Sequence, residues 1–252
     1  KTFDDNAYYH SQSSYVSSSC LKGVAKRSVH HYLNTTFNGS SEALLVGSAF
    51  HELVLEPHLF EENFHVVPKI DRRTKVGKAK AKAIEAELVA QGRMGISEAN
   101  YEMICKMRDN IMADKICSEI LTGGQPEVSF YVEDFHGLKV RVRPDYLGKD
   151  YIVDLKSCQD ASPDLFSRDI YKYNWKLQAA FYADVIGMDK FYFLASEKKS
   201  PYHCQLYLMS EQSLEYGRKM YMKALDSWKK YLDSGVATGY NHPSLKDGVI
   251  TL

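Results

Sequence analysis

The chain has 252 residues, of which 44% are hydrophobic and 25% charged, with 32 basic and 32 acidic side chains and a formal net charge of zero. Such a composition excludes a disordered polyelectrolyte and supports a sizeable core. It also excludes any overall field that gathers nucleic acid, so phosphate contacts have to come from a local basic patch. No charged-then-apolar leader opens the sequence and no apolar run approaches the ~20 residues of a membrane span, so a cytoplasmic protein with no membrane partner is expected.

The N-terminal part reads as mainly helical. Ser17-Ser18-Ser19-Cys20-Leu21-Lys22 has two readings, a serine-capped helix start or a phosphate site made of hydroxyls, free N–H groups and a lysine one turn in. Residues 41–57 form an apolar helix stopped by Pro57, in which His51 reads as a hydrogen-bonded core histidine. Between Pro68 and Lys82 lie Lys69, Arg72, Arg73, Lys75, Lys78, Lys80 and Lys82 against the single acid Asp71. This run is either a solvated face or a basic arm that orders on a phosphate backbone. Residues 83–121 read as two helices broken near Gly92 to Gly95, with Met103, Met107, Ile111 and Met112 as core at helical spacing.

Strands begin at Pro126. Glu127 to Val132 alternates, which puts Glu127, Ser129 and Tyr131 on one face, and Glu127 is either an acid of the functional face or a surface acid at a strand start. After a turn at Asp134-Phe135-His136-Gly137, the chain returns from Leu138 to Arg143 and runs on as the first arm of a hairpin over 140–156, with Gly148-Lys149-Asp150 at its tip. A turn centred on Lys149-Asp150 sets Asp145 across from Asp154, their Cβ atoms ~5 Å apart. Period-two alternation puts Asp154 and Lys156 on one face and Val153 and Leu155 on the other. Two carboxylates that close repel unless one is protonated or a cation lies between them; a divalent metal satisfies them, and an adjacent ammonium can hold or help deprotonate a water. The plain alternative is a solvated hairpin edge.

Further on, residues 173–183 form a helix with Gln178 and Tyr182 one turn apart, which by pattern alone are a surface amide and a packing residue. Two more strands follow at 189–195 and 202–208, then a long amphipathic helix from about Glu211 to Leu232 ended by Gly235, and an irregular tail after Tyr240. The five cysteines are scattered and never spaced C-x-x-C, which argues against disulfides and against a zinc or iron–sulfur site. The whole is expected to be one α/β domain over 1–252: a helical part over 1–125, a catalytic sheet over 126–208, and a C-terminal helix with its tail.

Pro144-Asp145 followed by Asp154-Leu155-Lys156 resembles the PD-(D/E)xK nuclease motif. The order of Ser17-Ser18-Ser19-x-Leu21-Lys22, Gly47-Ser48-Ala49-x-His51, Asp71-Arg72-Arg73-Thr74-Lys75-x-Gly77-Lys78, Glu127, the motif itself and Gln178-x-x-x-Tyr182 is similar to RecE-type exonucleases, relatives of lambda exonuclease and the RecB nuclease domain. That resemblance runs over most of the chain. It implies a central mixed β-sheet flanked by helices, the restriction-endonuclease-like core. It implies Mg²⁺, with Mn²⁺ as a substitute, held by His51, Asp145, Asp154 and the Leu155 backbone carbonyl. Lys156 then positions and activates water, Glu127 is an active-site acid, and Gln178 and Tyr182 border the site. Ser17, Ser19 and Lys22 would receive a 5′-phosphate, and Arg72, Arg73, Lys75 and Lys78 would contact DNA. Cys20-Leu21-Lys22 and Ser28-Val29 depart from the family's usual residues at the phosphate end. The implied activity is 5′→3′ exonuclease digestion of linear duplex DNA to 3′ single strands, by a ring oligomer working with a RecT-like single-strand annealing protein, in a bacterium or a phage-infected host. The alternatives are an endonuclease of the same superfamily and a catalytically silent DNA-end-binding module.

Overall fold

A computed structural model describes residues 1–35, 42–240, 245–246 and 249–250. The elements in chain order are α1 (Asn6–Ser11), α2 (Ser18–Lys26), α3 (Val29–Asn34), α4 (Glu42–Leu55), α5 (Pro57–Asn63), β1 (Phe64–Val67), α6 (Lys75–Ala90), β2 (Met94–Ser97), α7 (Glu98–Ala113), α8 (Lys115–Glu119), β3 (Gln125–Pro126), β4 (Phe130–Phe135), β5 (Leu138–Val142), β6 (Tyr146–Leu147), β7 (Tyr151–Cys158), α9 (Pro163–Lys172), α10 (Trp175–Ile186), β8 (Lys190–Glu197), β9 (Cys204–Leu208), α11 (Glu211–Ser234), β10 (Leu245–Lys246) and β11 (Val249–Ile250).

The central sheet is mixed, ordered β3-β6-β7-β8-β9, with β7 and β8 parallel and the other neighbours antiparallel. The parallel pair needs a crossover, which α9 and α10 supply. Alternation along β7 divides the core. Ile152 and Cys158 join the cluster under α2, α10 and α11, while Val153 and Leu155 join the one under α4 and α7. Asp154 and Lys156 therefore face the α10 side, surrounded by apolar packing that withholds water.

Helix α10 is buried from Leu177 through Ala183 because it is pressed between the sheet and α11. Close approach is possible because Gly217 of α11 has no side chain: a Cβ there would stand 2.0 Å from the Lys176 carbonyl oxygen and 2.8 Å from the Ala180 Cβ. Gly235, with φ of 69°, ends α11 in the left-handed conformation that its sequence position suggested.

The expected sheet-and-helix architecture is present, with local differences. The hairpin is shorter than expected: β5 pairs with β4, and only Tyr146 and Leu147 pair with β7, since Pro144 cannot donate to a ladder and breaks the strand. The alternating strand from Glu127 is split, because Glu127 takes a left-handed φ of 49° and β4 begins only at Phe130. The Gly92–Gly95 break holds strand β2, paired in parallel with β1, and both strands are short enough to lack a periodic signal. Helix α6 starts inside the basic run, at Lys75, with Thr74 as its cap. Helices α1, α5 and α9 were not anticipated; Pro57, the stop of α4, is also the first residue of α5. Met107 and Ile111 are core, but Met112 is exposed because it falls a residue beyond the buried stripe. The tail expected to be irregular lies mostly outside the described residues, and two of its described pairs form the short β10–β11 ladder.

Gly217→Ala should destabilise the protein by about 1–3 kcal/mol, the usual effect of overpacking, seen as a lower midpoint in chemical denaturation. A midpoint equal to wild type would show that α11 can move off α10 freely.

Candidate active site

The site grows from the interrupted ladder. The β6–β7 register continues by one position to set Asp145 opposite Asp154, and by one more to set Pro144 opposite Leu155. Gly148 N–H donates to the Tyr151 carbonyl at 2.9 Å, which fixes the alternation and makes the Pro144/Leu155 pair one that should exchange two hydrogen bonds. Proline has no N–H to give. The Leu155 N–H donates instead to Asp145 Oδ2 at 2.6 Å, and the Leu155 carbonyl, on the same strand edge, receives nothing from Pro144. A free carbonyl beside a carboxylate is a suitable oxygen donor for a hard cation.

Helix α4 brings His51, whose Nδ1 lies 3.5 Å from Asp145 Oδ2. Glu127 completes the group, and one ligand atom each from His51, Glu127 and Asp145 lie within 4.8 Å of one another. The Glu127 N–H donates to the Asp145 carbonyl at 3.1 Å, and Arg143 Nε contacts both the Glu127 carbonyl at 3.1 Å and its Oε2 at 2.9 Å. Burial, together with the neighbouring Asp145 carboxylate, pushes the Glu127 carboxyl up to about 8. Two carboxyl groups and an imidazole this close together are the oxygen and nitrogen donors that a divalent cation takes, so the residues fit a divalent metal.

Asp154 is fully buried and turned the other way. One carboxylate oxygen pairs with Lys156 Nζ, and the other accepts from Gln178 Nε2 at 2.5 Å. Burial first, and Asp145 second, raise its affinity for a proton. Burial pulls the Lys156 ammonium toward neutrality, but the Asp154 and Asp145 carboxylates outweigh it and leave its pKa raised. Its ammonium also lies over the Trp175 ring, 5.3 Å from the centroid. Gln178 Oε1 accepts from Lys22 Nζ at 2.7 Å, so a chain of contacts runs Lys22–Gln178–Asp154–Lys156. Burial, and then the charge of Lys156, lowers Lys22 to about 8. Tyr182 receives a hydrogen bond from Ser18 Oγ at 3.4 Å.

The fold thus gathers His51, Glu127, Asp145, Asp154, Leu155, Lys156, Gln178, Tyr182 and Lys22. Ser17 caps α2 through the Cys20 N–H, as its position suggested, and Ser19 is exposed. Ser18, overlooked in the sequence, is the buried serine that reaches the site; its i,i+4 spacing to Lys22 was the available signal. Arg143 was also overlooked. The basic residues lie elsewhere: Arg72 pairs with Glu85 at 2.9 Å and lines a separate cavity of about 750 Å³ under α6, Arg73 pairs with Asp71 at 2.9 Å, and Lys75 and Lys78 are exposed on the first turn of α6. A cavity of about 660 Å³ is lined by His51, Glu127 and Arg143 and bordered by residues 3–6. Asp114, Cys117 and Cys204, which sequence spacing kept apart, also meet in the fold. There Asp114 caps α8 through the Cys117 N–H at 2.8 Å and Cys204 Sγ contacts the Asn110 carbonyl at 3.6 Å.

A mixed sheet whose interrupted strand pair carries Pro-Asp on one strand and Asp-x-Lys on the other defines a nuclease of the PD-(D/E)xK class. The chain belongs to the family described as a PDDEXK-like domain of unknown function, DUF3799, which matches residues 17–241. Among solved structures it is similar to the "Putative exonuclease" from Eubacterium rectale, with a TM-score of 0.65 and 16% identity over 98% of this chain and 92% of that one. Weaker likenesses are to a phage related exonuclease from Haemophilus somnus 129PT, with a TM-score of 0.36 and 11% identity over 88% and 96% of the two chains, and to an alkaline exonuclease from Laribacter hongkongensis, with 0.33 and 12% over 92% and 97%. No curated protein sequence matches the chain. No helix among the described residues is long and apolar enough to cross a membrane.

Because the folded-state Glu127 value of about 8 lies above the ordinary 4.5, the metal-free protein holds this proton where the unfolded chain does not. Its stabilising contribution is complete below about 4.5 and is lost as pH rises through 8. Thermal melts of metal-free protein should therefore show Tm falling between pH 5 and 8, and the fall should be smaller in Glu127→Gln. A variant curve parallel to wild type would remove Glu127 as the group responsible.

Proposed function

We propose that this protein is a Mg²⁺-dependent 5′→3′ exonuclease that digests linear duplex DNA to leave 3′ single strands. The observation that carries this reading is the arrival of Lys22 at Gln178, the residue that holds Asp154. Helix α2 brings an ammonium to Gln178, which contacts Asp154, and the Ser18 hydroxyl to Tyr182 one turn along α10, so a cationic receptor for a terminal phosphate would lie beside the group that would attack the first phosphodiester. An enzyme that captures ends needs that adjacency, whereas one that cuts internally does not.

His51, Glu127, Asp145 and the Leu155 carbonyl would hold the metal, with Asp154 beside them. The bound ion would polarise the phosphoryl oxygen and ease deprotonation of a water. The chain's own residues do the rest. Lys156, held charged by Asp154, orients the water and stabilises charge gathering on phosphorus rather than serving as a free base. Gln178 holds Asp154 in place, and the apolar wall of Trp175 and Phe193 keeps the Lys156 ammonium away from bulk solvent. Resemblance to the RecE-type enzymes extends the proposal to a ring oligomer, a single-strand annealing partner, a role in recombination and a cytoplasmic setting.

Lys156→Ala should lower cleavage by at least about a hundredfold while duplex binding survives, because chemistry and backbone contact are separable. Asp154→Asn should act in the same direction. Wild-type turnover by either variant would refute the role assignment. With Mg²⁺, linear 5′-phosphorylated duplex should be degraded and covalently closed circles left intact. Cut circles would favour an internally cutting enzyme, and binding without cleavage of either DNA would favour a silent end-binding module. Slower digestion of 5′-hydroxyl ends, equalised in Lys22→Ala, would place the phosphate receptor at Lys22.

The basic loop and α6 are proposed to track the duplex at a distance from the chemistry. Replacing Lys75 and Lys78 together should reduce the slope of log K against log salt by about 1–2, one counterion per lost contact. The effect of Arg72 and Arg73 should be smaller, since Glu85 and Asp71 already partner them. An unchanged slope in the lysine variant would return the run to a solvated face.

A further inference from the structure

Arg143 stands outside the catalytic motif, yet it makes two polar contacts to a member of the metal group. Its Nε reaches both the backbone carbonyl and the carboxylate of Glu127. Glu127 itself holds a left-handed φ of 49°, a conformation that a glutamate keeps only where its surroundings impose it. Arg143 restrains it through the carbonyl, and the Asp145 carbonyl restrains it through the N–H. The same three-residue segment, 143–145, therefore fixes the backbone of Glu127 and supplies the aspartate that Glu127 faces.

The arginine is fixed in its turn. Its guanidinium lies over the Tyr9 ring, 5.5 Å from the centroid, and Arg141 lies over the same ring at 4.7 Å while donating to the Tyr9 carbonyl. Tyr9 is buried on α1, ahead of the family-matched residues 17–241. Arg143 Nη1 is buried without a hydrogen-bond partner. A partly buried ion pair that leaves a buried guanidinium N–H unmatched is a poor stabilising device, so its placement calls for a reason other than stability. The position of Glu127 beside His51 and Asp145 provides one.

We propose that Arg143 is a positioning residue for the metal group, setting the Glu127 carboxylate beside His51 and Asp145, and that Tyr9 of the N-terminal segment sets Arg143. The inference rests on the reading of His51, Glu127 and Asp145 as the group that holds the metal. Arg143 touches neither metal nor DNA in this scheme and acts through Glu127.

The test is Mn²⁺ binding to the full chain without DNA, followed by the electron paramagnetic resonance signal of free Mn²⁺, with melting curves to verify folding. Arg143→Lys keeps the charge but not the geometry of the Nε contacts, and should raise the Mn²⁺ dissociation constant by about tenfold or more, the usual effect of losing the partner of a ligand. The double variant Arg143→Lys/Glu127→Gln should bind Mn²⁺ no worse than Glu127→Gln alone. In cleavage assays the half-saturating Mn²⁺ concentration should rise while KM for DNA stays within about twofold. Tyr9→Leu leaves both partners in place and should weaken Mn²⁺ binding about two- to fivefold, as expected for a lost cation–π contact; it also supplies the test if Arg143→Lys fails to fold. Wild-type Mn²⁺ affinity in Arg143→Lys, additive losses in the double variant, or a raised KM with Mn²⁺ binding unchanged would each overturn the proposal. Mn²⁺ binding unaltered by both His51→Ala and Asp145→Asn would overturn the metal reading and this inference with it, whereas a failure confined to Arg143→Lys and Tyr9→Leu would overturn the inference alone.

Discussion

The approach of Asp145 to Asp154 across an interrupted ladder is the constraint on which the rest of this structure depends. Two carboxylates opposite each other in an ordinary strand pair would be a destabilising accident. Here the pair is separated by its partners: Asp145 turns to His51 and Glu127, and Asp154 turns to Lys156 and Gln178. Pro144 makes that separation possible. By withholding an N–H it leaves the Leu155 carbonyl outside the ladder and lets the Asp145 carboxylate take the Leu155 N–H.

Everything packed around that break serves to hold charge where water is scarce. The sheet face under α10 carries Asp154 and Lys156 into an apolar cluster, and α10 can lie close because α11 offers Gly217. Burial then shifts the affinities of Glu127, Asp154 and Lys22 for protons in the directions expected of charges removed from solvent.

Much of this was legible in the sequence, and the reasons differ by residue. The turn at Gly148-Lys149-Asp150 sets a register, and register alone places Asp145 opposite Asp154 and puts Asp154 and Lys156 on a common face. Period-two and helical patterns likewise revealed the main strands, α10 and α11. The strand break at Pro144 was written in the residue itself but was read through, because Val140 and Val142 have strong strand character on their own. The short strands β1 and β2 carry four residues each, too few for periodicity to speak. Gln178 reads as a surface amide in any helical pattern; only the packing of α11 and the sheet on both sides of α10 makes it buried. Lys22 and Ser18 reach Gln178 and Tyr182 across more than a hundred residues, a proximity that local pattern cannot encode.

The amide of Gln178 has a consequence for the direction of hydrogen bonding through the core. Its oxygen faces the Lys22 ammonium and its nitrogen faces the Asp154 carboxylate, so neither end can be exchanged without setting a donor against a donor and an acceptor against an acceptor. A carboxylate in its place would confront Asp154 with a like charge, and a hydrocarbon would leave both ends bare. The glutamine therefore works as a polarised spacer that keeps one cation and one anion in the same dry compartment without letting them neutralise each other by direct contact. Helix α2 and strand β7 are joined through a link that transmits orientation from one to the other.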